Sequence, residues 1–126
     1  MAGAETRTPG PVLQPSPELA QKLSQDAASY WTRGRKLRDH LREHGREFWP
    51  SMTNEEYTAI GLEVRHDPAS LTQRFFDRDA QLIRRGYYDM RRNIFVSVNN
   101  DDPNLLHTIF RPRDGRQYWD QLLPVP

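Results

Sequence analysis

The stretch QLIRRGYYDMRRNIFVSV, Gln81 to Val98, decides the fold class. Gln81–Tyr88 and Asn93–Val98 are short runs rich in Ile, Val, Phe and Tyr. Asp89-Met90-Arg91-Arg92 separates them, so the pair predicts a β-hairpin. In the second run Ile94, Val96 and Val98 alternate with Phe95 and Ser97, the two-residue period of a strand. Downstream, Asn99–Asn104 is a turn cluster around Pro103, and Leu105–Arg111 predicts another strand, stopped by Pro112. Asp114-Gly115 is a turn, and Arg116–Leu123 predicts a short terminal helix. Upstream, Leu71–Phe76 fits either a further strand or an irregular lead-in.

The N-terminal half has a different period. Ser16-Pro17-Glu18 is a helix start, with serine as cap and proline at the first helical position. Leu19, Leu23, Ala27 and Trp31 recur every four residues as one apolar stripe. Leu37, Leu41, His44 and Phe48 carry a second stripe, and Gly45 and Pro50 end its helix near Phe48. Thr53-Asn54-Glu55-Glu56 opens a third helix, with acidic residues where the helix dipole favours them. Tyr57, Ile60, Leu62 and Val64 supply its apolar positions before Asp67-Pro68 stops it. Helices first and strands later predict an α+β fold: N-terminal helices on a small antiparallel sheet, with a short C-terminal helix. Residues 1–17, with prolines at 9, 11, 15 and 17, read as a flexible tail or linker, and residues 18–126 as a single domain.

Composition narrows the chemistry. The 126 residues contain no cysteine, which excludes a disulfide framework, a thiol nucleophile and a thiolate metal site. No run of about 18 apolar residues suggests a membrane span, and the first 17 residues lack the apolar core of a signal peptide. Mean hydropathy is -0.90. The net charge of +1 averages unlike segments. Arg33–Trp49 has six basic and three acidic residues, Ala80–Val98 four and one, and Asn54–Asp79 three and six. If the two basic segments face each other, they form a phosphate-sized patch. Of 18 basic residues 16 are arginine, which suits planar phosphate recognition and also follows from arginine-rich codon usage.

Three constellations stand out. His40-Leu41-Arg42-Glu43-His44 has the H-x-x-E-H order of inverted zinc peptidases, with both imidazoles on one helix face. The same histidines equally suit partly buried caps on the Leu37/Leu41/Phe48 stripe. In Leu106–Pro112, strand alternation puts Thr108 and Phe110 on one face and His107, Ile109 and Arg111 on the other. Gly115-Arg116-Gln117-Tyr118-Trp119 offers two aromatics that are either core plugs or stacking surfaces.

Taken in order, these pieces resemble one family. Asp39–Phe48 is similar to the "HF-x-x-HG-x-EF" segment of certain bacterial toxin domains, and Asn54–Tyr57 to their next helix. Tyr88-Asp89 with Asn93–Val96 resembles their "YD…N-x-F-x-V" hairpin. Thr108–Pro112, Asp114-Gly115 and Tyr118-Trp119 resemble their closing "RT-x-F-K/R-P-x-x-G-x-x-YW", with His107 in place of the usual basic residue. The likeness spans about residues 37–120. Such modules are C-terminal nuclease domains of contact-dependent growth-inhibition and other polymorphic toxins, colicin-D-like, in the barnase/EndoU/colicin/RelE-like superfamily.

The resemblance implies a metal-independent endoribonuclease needing no cofactor, commonly aimed at tRNA and neutralised by a cognate immunity protein. It implies delivery within a larger toxin to the cytoplasm of a target bacterium. Its residues carry over as His44 for general acid/base catalysis and Thr108, Arg111 and Tyr118 around the phosphate. Arg74, Arg84, Arg85 and Trp119 are candidates for RNA contact, as are Arg91 and Arg92. The chemistry is coherent: RNA carries its own 2′-OH nucleophile, histidine exchanges protons near neutral pH, and guanidinium and hydroxyl donors stabilise phosphoryl charge. Two alternatives remain: a non-catalytic RNA-binding module of the same fold, and a zinc hydrolase using His40, Glu43 and His44.

Overall fold

The structure, a computed structural model, describes residues 13–23, 26–32, 34–48 and 51–126. Most of the proline-rich segment 1–17, and Pro50, lie outside the described residues. Helix α1, Pro17–Lys22, starts as predicted: Ser16 Oγ accepts from Leu19 N at 3.4 Å and Pro17 fills the first turn. The four-residue stripe does not continue as one helix. A separate 3-10 turn, Ala27–Tyr30, follows, and Trp31 caps it in extended conformation. Leu23, Ala27 and Trp31 are nevertheless all buried. The spacing reports which side chains reach the core, not whether the helix between them is continuous.

Helix α2, Gly34–His44, gives way to a 3-10 turn at Gly45–Glu47, which places Phe48 in the core beyond the helix rather than at its end. A Cβ at Gly45 would stand 2.7 Å from Leu41 Cδ1, so this turn folds tightly over the helix. Helix α3, Asn54–His66, carries a complete capping box. Thr53 Oγ1 accepts from Glu56 N at 3.1 Å, and Glu56 Oε1 accepts from Thr53 N at 2.9 Å, satisfying two amides that the first turn leaves unpaired.

The sheet has five antiparallel strands: β1 Leu71–Asp77, β2 Leu82–Asp89, β3 Ile94–Asn99, β4 Leu106–Phe110 and β5 Pro124–Val125. Their order is β4-β3-β2-β1-β5. The fold is α+β, with helices on a small antiparallel sheet and a short C-terminal helix. The ambiguous Leu71–Phe76 run is a full strand. Its hairpin to β2 turns on Asp77, whose Oδ1 accepts from Asp79 N at 3.0 Å and Ala80 N at 3.2 Å. Gln81, expected to begin the strand, takes φ +58° in that turn, and β2 starts at Leu82. Helix α4 covers only Arg116–Asp120. The chain then rejoins the sheet, Phe76 N donating to Leu123 O at 2.9 Å and β5 pairing with β1.

Alternation along the strands sorts two cores. On the helix side, Tyr57, Ile60 and Val64 of α3 meet Tyr87, Ile94, Val96, Val98, Leu106 and Ile109. Gly61 lets α3 approach closely, since a Cβ there would lie 2.3 Å from Ile109 Cδ1. On the other side, Phe75, Tyr88, Phe95 and Trp119 form a smaller aromatic cluster, flanked by Phe110, Tyr118 and Leu122. Among the described residues no helix is long and apolar enough to cross a membrane.

Candidate active site at the β4 edge

Strand β4 is an edge strand, and α2 lies beside it. The simple alternation expected along β4 is broken. Ser97 pairs with Thr108 and Val98 with Leu106, so His107 is an extra residue, a β-bulge. Leu106 and Ile109 therefore both enter the helix-side core. Thr108 and Phe110 share the aromatic face with Ser97 and Phe95, as the pairing register requires. His107, expected on the opposite face from Thr108, lines the same cavity as Thr108.

Three imidazoles converge at this bulge. His40 Nδ1 lies 3.3 Å from Thr108 Oγ1, and the His40 ring stacks between Trp31 at 5.8 Å and His44 at 5.9 Å. His107 meets His40 edge-on at 6.0 Å, and its Nδ1 lies 3.3 Å from Ser97 Oγ. His44 contacts Phe110 at 5.4 Å. The i,i+4 spacing of His40 and His44 on α2 produces the stack.

Glu47 fixes His44. Its Oε2 lies 2.8 Å from His44 Nδ1, and its Oε1 accepts from Arg111 N at 2.7 Å. One carboxylate thus orients the imidazole and anchors it to the end of β4. In the tautomer that carries a proton on Nδ1, His44 donates to Glu47, and Nε2 is the ring nitrogen left to exchange a proton. Nε2 lies 3.6 Å from Glu43, whose side chain is 70% exposed against 19% for His44.

The remaining expected residues distribute unevenly. Arg111 is close by: its Nε donates to Arg92 O at 3.2 Å and its Nη1 to Glu47 O at 3.3 Å. With Phe110, Asn93, Pro112 and Arg113 it lines an open hollow next to Glu47. Tyr118 packs edge-on against Phe95 at 5.1 Å and Phe110 at 5.2 Å and lines the cavity with Thr108. Burial first, and the charge of Asp77 second, push its phenol above the ordinary value, so it remains a hydroxyl donor at neutral pH.

Trp119 is a core plug: it is 7% exposed and stacks on Tyr88 at 5.9 Å, leaving no open ring face for a base. Arg84 lines the cavity, but its Nε donates to Asp77 Oδ2 at 2.7 Å and its Nη1 to Asn99 Oδ1. Burial opposes charge on Asp77, yet Arg84 and the turn amides outweigh it and hold the carboxyl below its usual range. Arg92 is likewise internal, its Nε bonded to Asp89 Oδ2 at 2.6 Å and its Nη1 to Glu63 Oε1 at 3.3 Å. Two of the four arginines in the basic Ala80–Val98 segment, Arg84 and Arg92, are therefore paired with carboxylates, two of which, Asp77 and Glu63, belong to the acidic segment before it. Arg74 and Arg85 pair across β1 and β2 on the face opposite the cavity. The structure does not bring them to the histidines.

Among the described residues no group of three or more His, Asp or Glu side chains is placed to hold a metal ion. His40 and His44 instead stack with 18° between their planes, and each has its Nδ1 beside another partner. That arrangement gives the zinc reading no support. Glu47 and His107 were missed in the sequence. Glu47 stands three residues after His44, a helical spacing that signals contact, whereas nothing local marks the bulge that turns His107 toward Thr108. No protein-family model matches the chain, and no curated protein matches it.

Proposed function

We propose that the protein is an endoribonuclease that cleaves RNA by attack of the 2′-OH on the adjacent phosphate, with tRNA as its substrate class. The observation that carries this reading is the grouping of His40, His44 and Thr108 at the β4 bulge, between the cavity and the Arg111 hollow. RNA transesterification needs one group to take the 2′-OH proton, one to protonate the departing 5′-oxygen, and donors for the phosphorane. Two stacked imidazoles supply the first two roles, with His44 oriented by Glu47 as a general base is oriented by its carboxylate. The Thr108 and Tyr118 hydroxyls and the Arg111 edge supply donors. The products are a 2′,3′-cyclic phosphate and a 5′-hydroxyl, and no redox cofactor enters the balance. In the same reading the domain is a polymorphic-toxin module held in check by an immunity protein.

The test is incubation of the purified protein with total tRNA, in EDTA, on a denaturing gel. His44→Ala lowers cleavage by about 10²–10⁴-fold, the usual contribution of general acid–base catalysis, with its circular dichroism unchanged. Intact tRNA under these conditions and with host extract added defeats the reading. RNA binding that weakens with salt but never turns over identifies a binding module instead.

A further inference from the structure

The aromatic face of the sheet is not fully covered. Beside α4 it leaves a cavity of about 410 Å³, within the ~300–1,000 Å³ range of small-molecule sites. The half-buried Tyr118 makes its accessible aromatic wall, over a floor formed by the buried Phe75 and Phe95, and the Asp77–Arg84 ion pair closes one side. The polar groups next to the histidines are Thr108 and His107, the latter tied to Ser97. One accessible aromatic ring beside fixed polar groups matches a heteroaromatic ring that is stacked on one face and read at its edge. The cavity also shares Thr108 with the reacting cluster, because Thr108 Oγ1 contacts His40. A ring seated there carries its ribose and 3′-phosphate toward the imidazoles.

We propose that this cavity is the subsite for the nucleobase on the 5′ side of the cleaved phosphate, and that His107 reads its edge. The assignment rests on the ribonuclease reading above for its position, and it confines cutting to unpaired nucleotides, whose base can be turned out of a stack. Ser97 acts through His107, as a positioning residue. Tyr118, rather than the buried Trp119, is the aromatic that meets the base.

Titration calorimetry with the four nucleoside 3′-monophosphates, against inorganic phosphate alone, tests the subsite without needing turnover. One nucleotide is expected to bind at least about tenfold more tightly than phosphate and than the weakest of the four, a difference of ~1.4 kcal/mol. His107→Ala should flatten that ranking, and Leu122→Trp, at the half-buried lip of the cavity, should weaken all four nucleotides while leaving phosphate binding unchanged. Equal binding of nucleotides and phosphate overturns the proposal, as does wild-type ranking in both variants. Base-selective binding without tRNA cleavage keeps the subsite and removes the ribonuclease, whereas cleavage with no base preference at the cut does the reverse.

Discussion

The two faces of the sheet are built for different ends. The helix side is closed: Ile60, Val64, Ile94, Val96, Leu106 and Ile109 are fully buried there, and the buried Trp31 Nε1 and Tyr57 hydroxyl both find partners, Thr58 Oγ1 and Ile109 O. The aromatic side is half open, with Tyr118, Thr108 and His107 at the edge of a cavity. Well-packed aliphatic surface resists change because each lost methylene leaves a void. An aromatic floor with a short helix over part of it leaves room for a ligand. The difference teaches where sequence changes should cost folding and where they should cost activity.

The largest effect is expected on the closed side. Arg92→Ala leaves Asp89, 8% exposed, without its buried partner, and should destabilise by ~3–5 kcal/mol in urea denaturation. A loss below 1 kcal/mol would mean that water reaches this corner. Next, Thr108→Val, a near-isosteric change on the open face, should reduce cleavage by about 10²–10³-fold while the denaturation midpoint hardly moves. A large stability loss with normal activity would reverse the assignment of the two faces. Tyr57→Phe removes the hydroxyl that serves Ile109 O and should cost ~1–3 kcal/mol as an unsatisfied buried acceptor, with activity of the folded protein retained.

The smallest effect is a pH dependence. Burial raises Asp77 and Asp89, but Arg84, Arg92 and turn amides outweigh it and lower both carboxyls below their ordinary value. Their contribution is complete above the unfolded-state pKa of ~3.9 and is lost as pH falls through the lower folded values. Stability measured from pH 5 downward should decline, and Asp77→Asn should make that decline shallower.

Much of this architecture is legible in the sequence. The β2–β3 hairpin follows from the alternation of Ile94, Val96 and Val98, and α3 from the Thr53/Glu56 box, because both signals are local. The β1–β2 turn was hidden because Asp77 builds it with its side chain and Gln81, not glycine, takes the positive φ. Strand β5 was hidden because two residues carry no period. At the site, His40 and His44 were visible as a helical pair, and Tyr118 as an aromatic with two possible uses. The contact between His40 and Thr108 joins residues 68 apart, and its register depends on the His107 bulge. No local pattern encodes a bulge of that kind. Arg84 looks like a free cation in the sequence because its partner, Asp77, lies in another strand, and Arg92 because Glu63 is distant and Asp89 meets it only once the β2–β3 turn has formed.

Strand β4 also bears on how molecules meet one another. An edge strand is ordinarily a template on which a second chain can add. Here three outward groups are engaged within the chain: Thr32 N donates to Leu106 O at 3.0 Å, the Tyr57 hydroxyl donates to Ile109 O, and Arg111 N donates to Glu47. At the other end of the sheet the outermost strand is two residues long and begins with proline. Stacking of a second chain on either border therefore meets two carbonyls and one amide already engaged at β4, and at β5 a strand of two residues. The glutamate beside His44 thereby also closes off one amide just past the end of this edge strand.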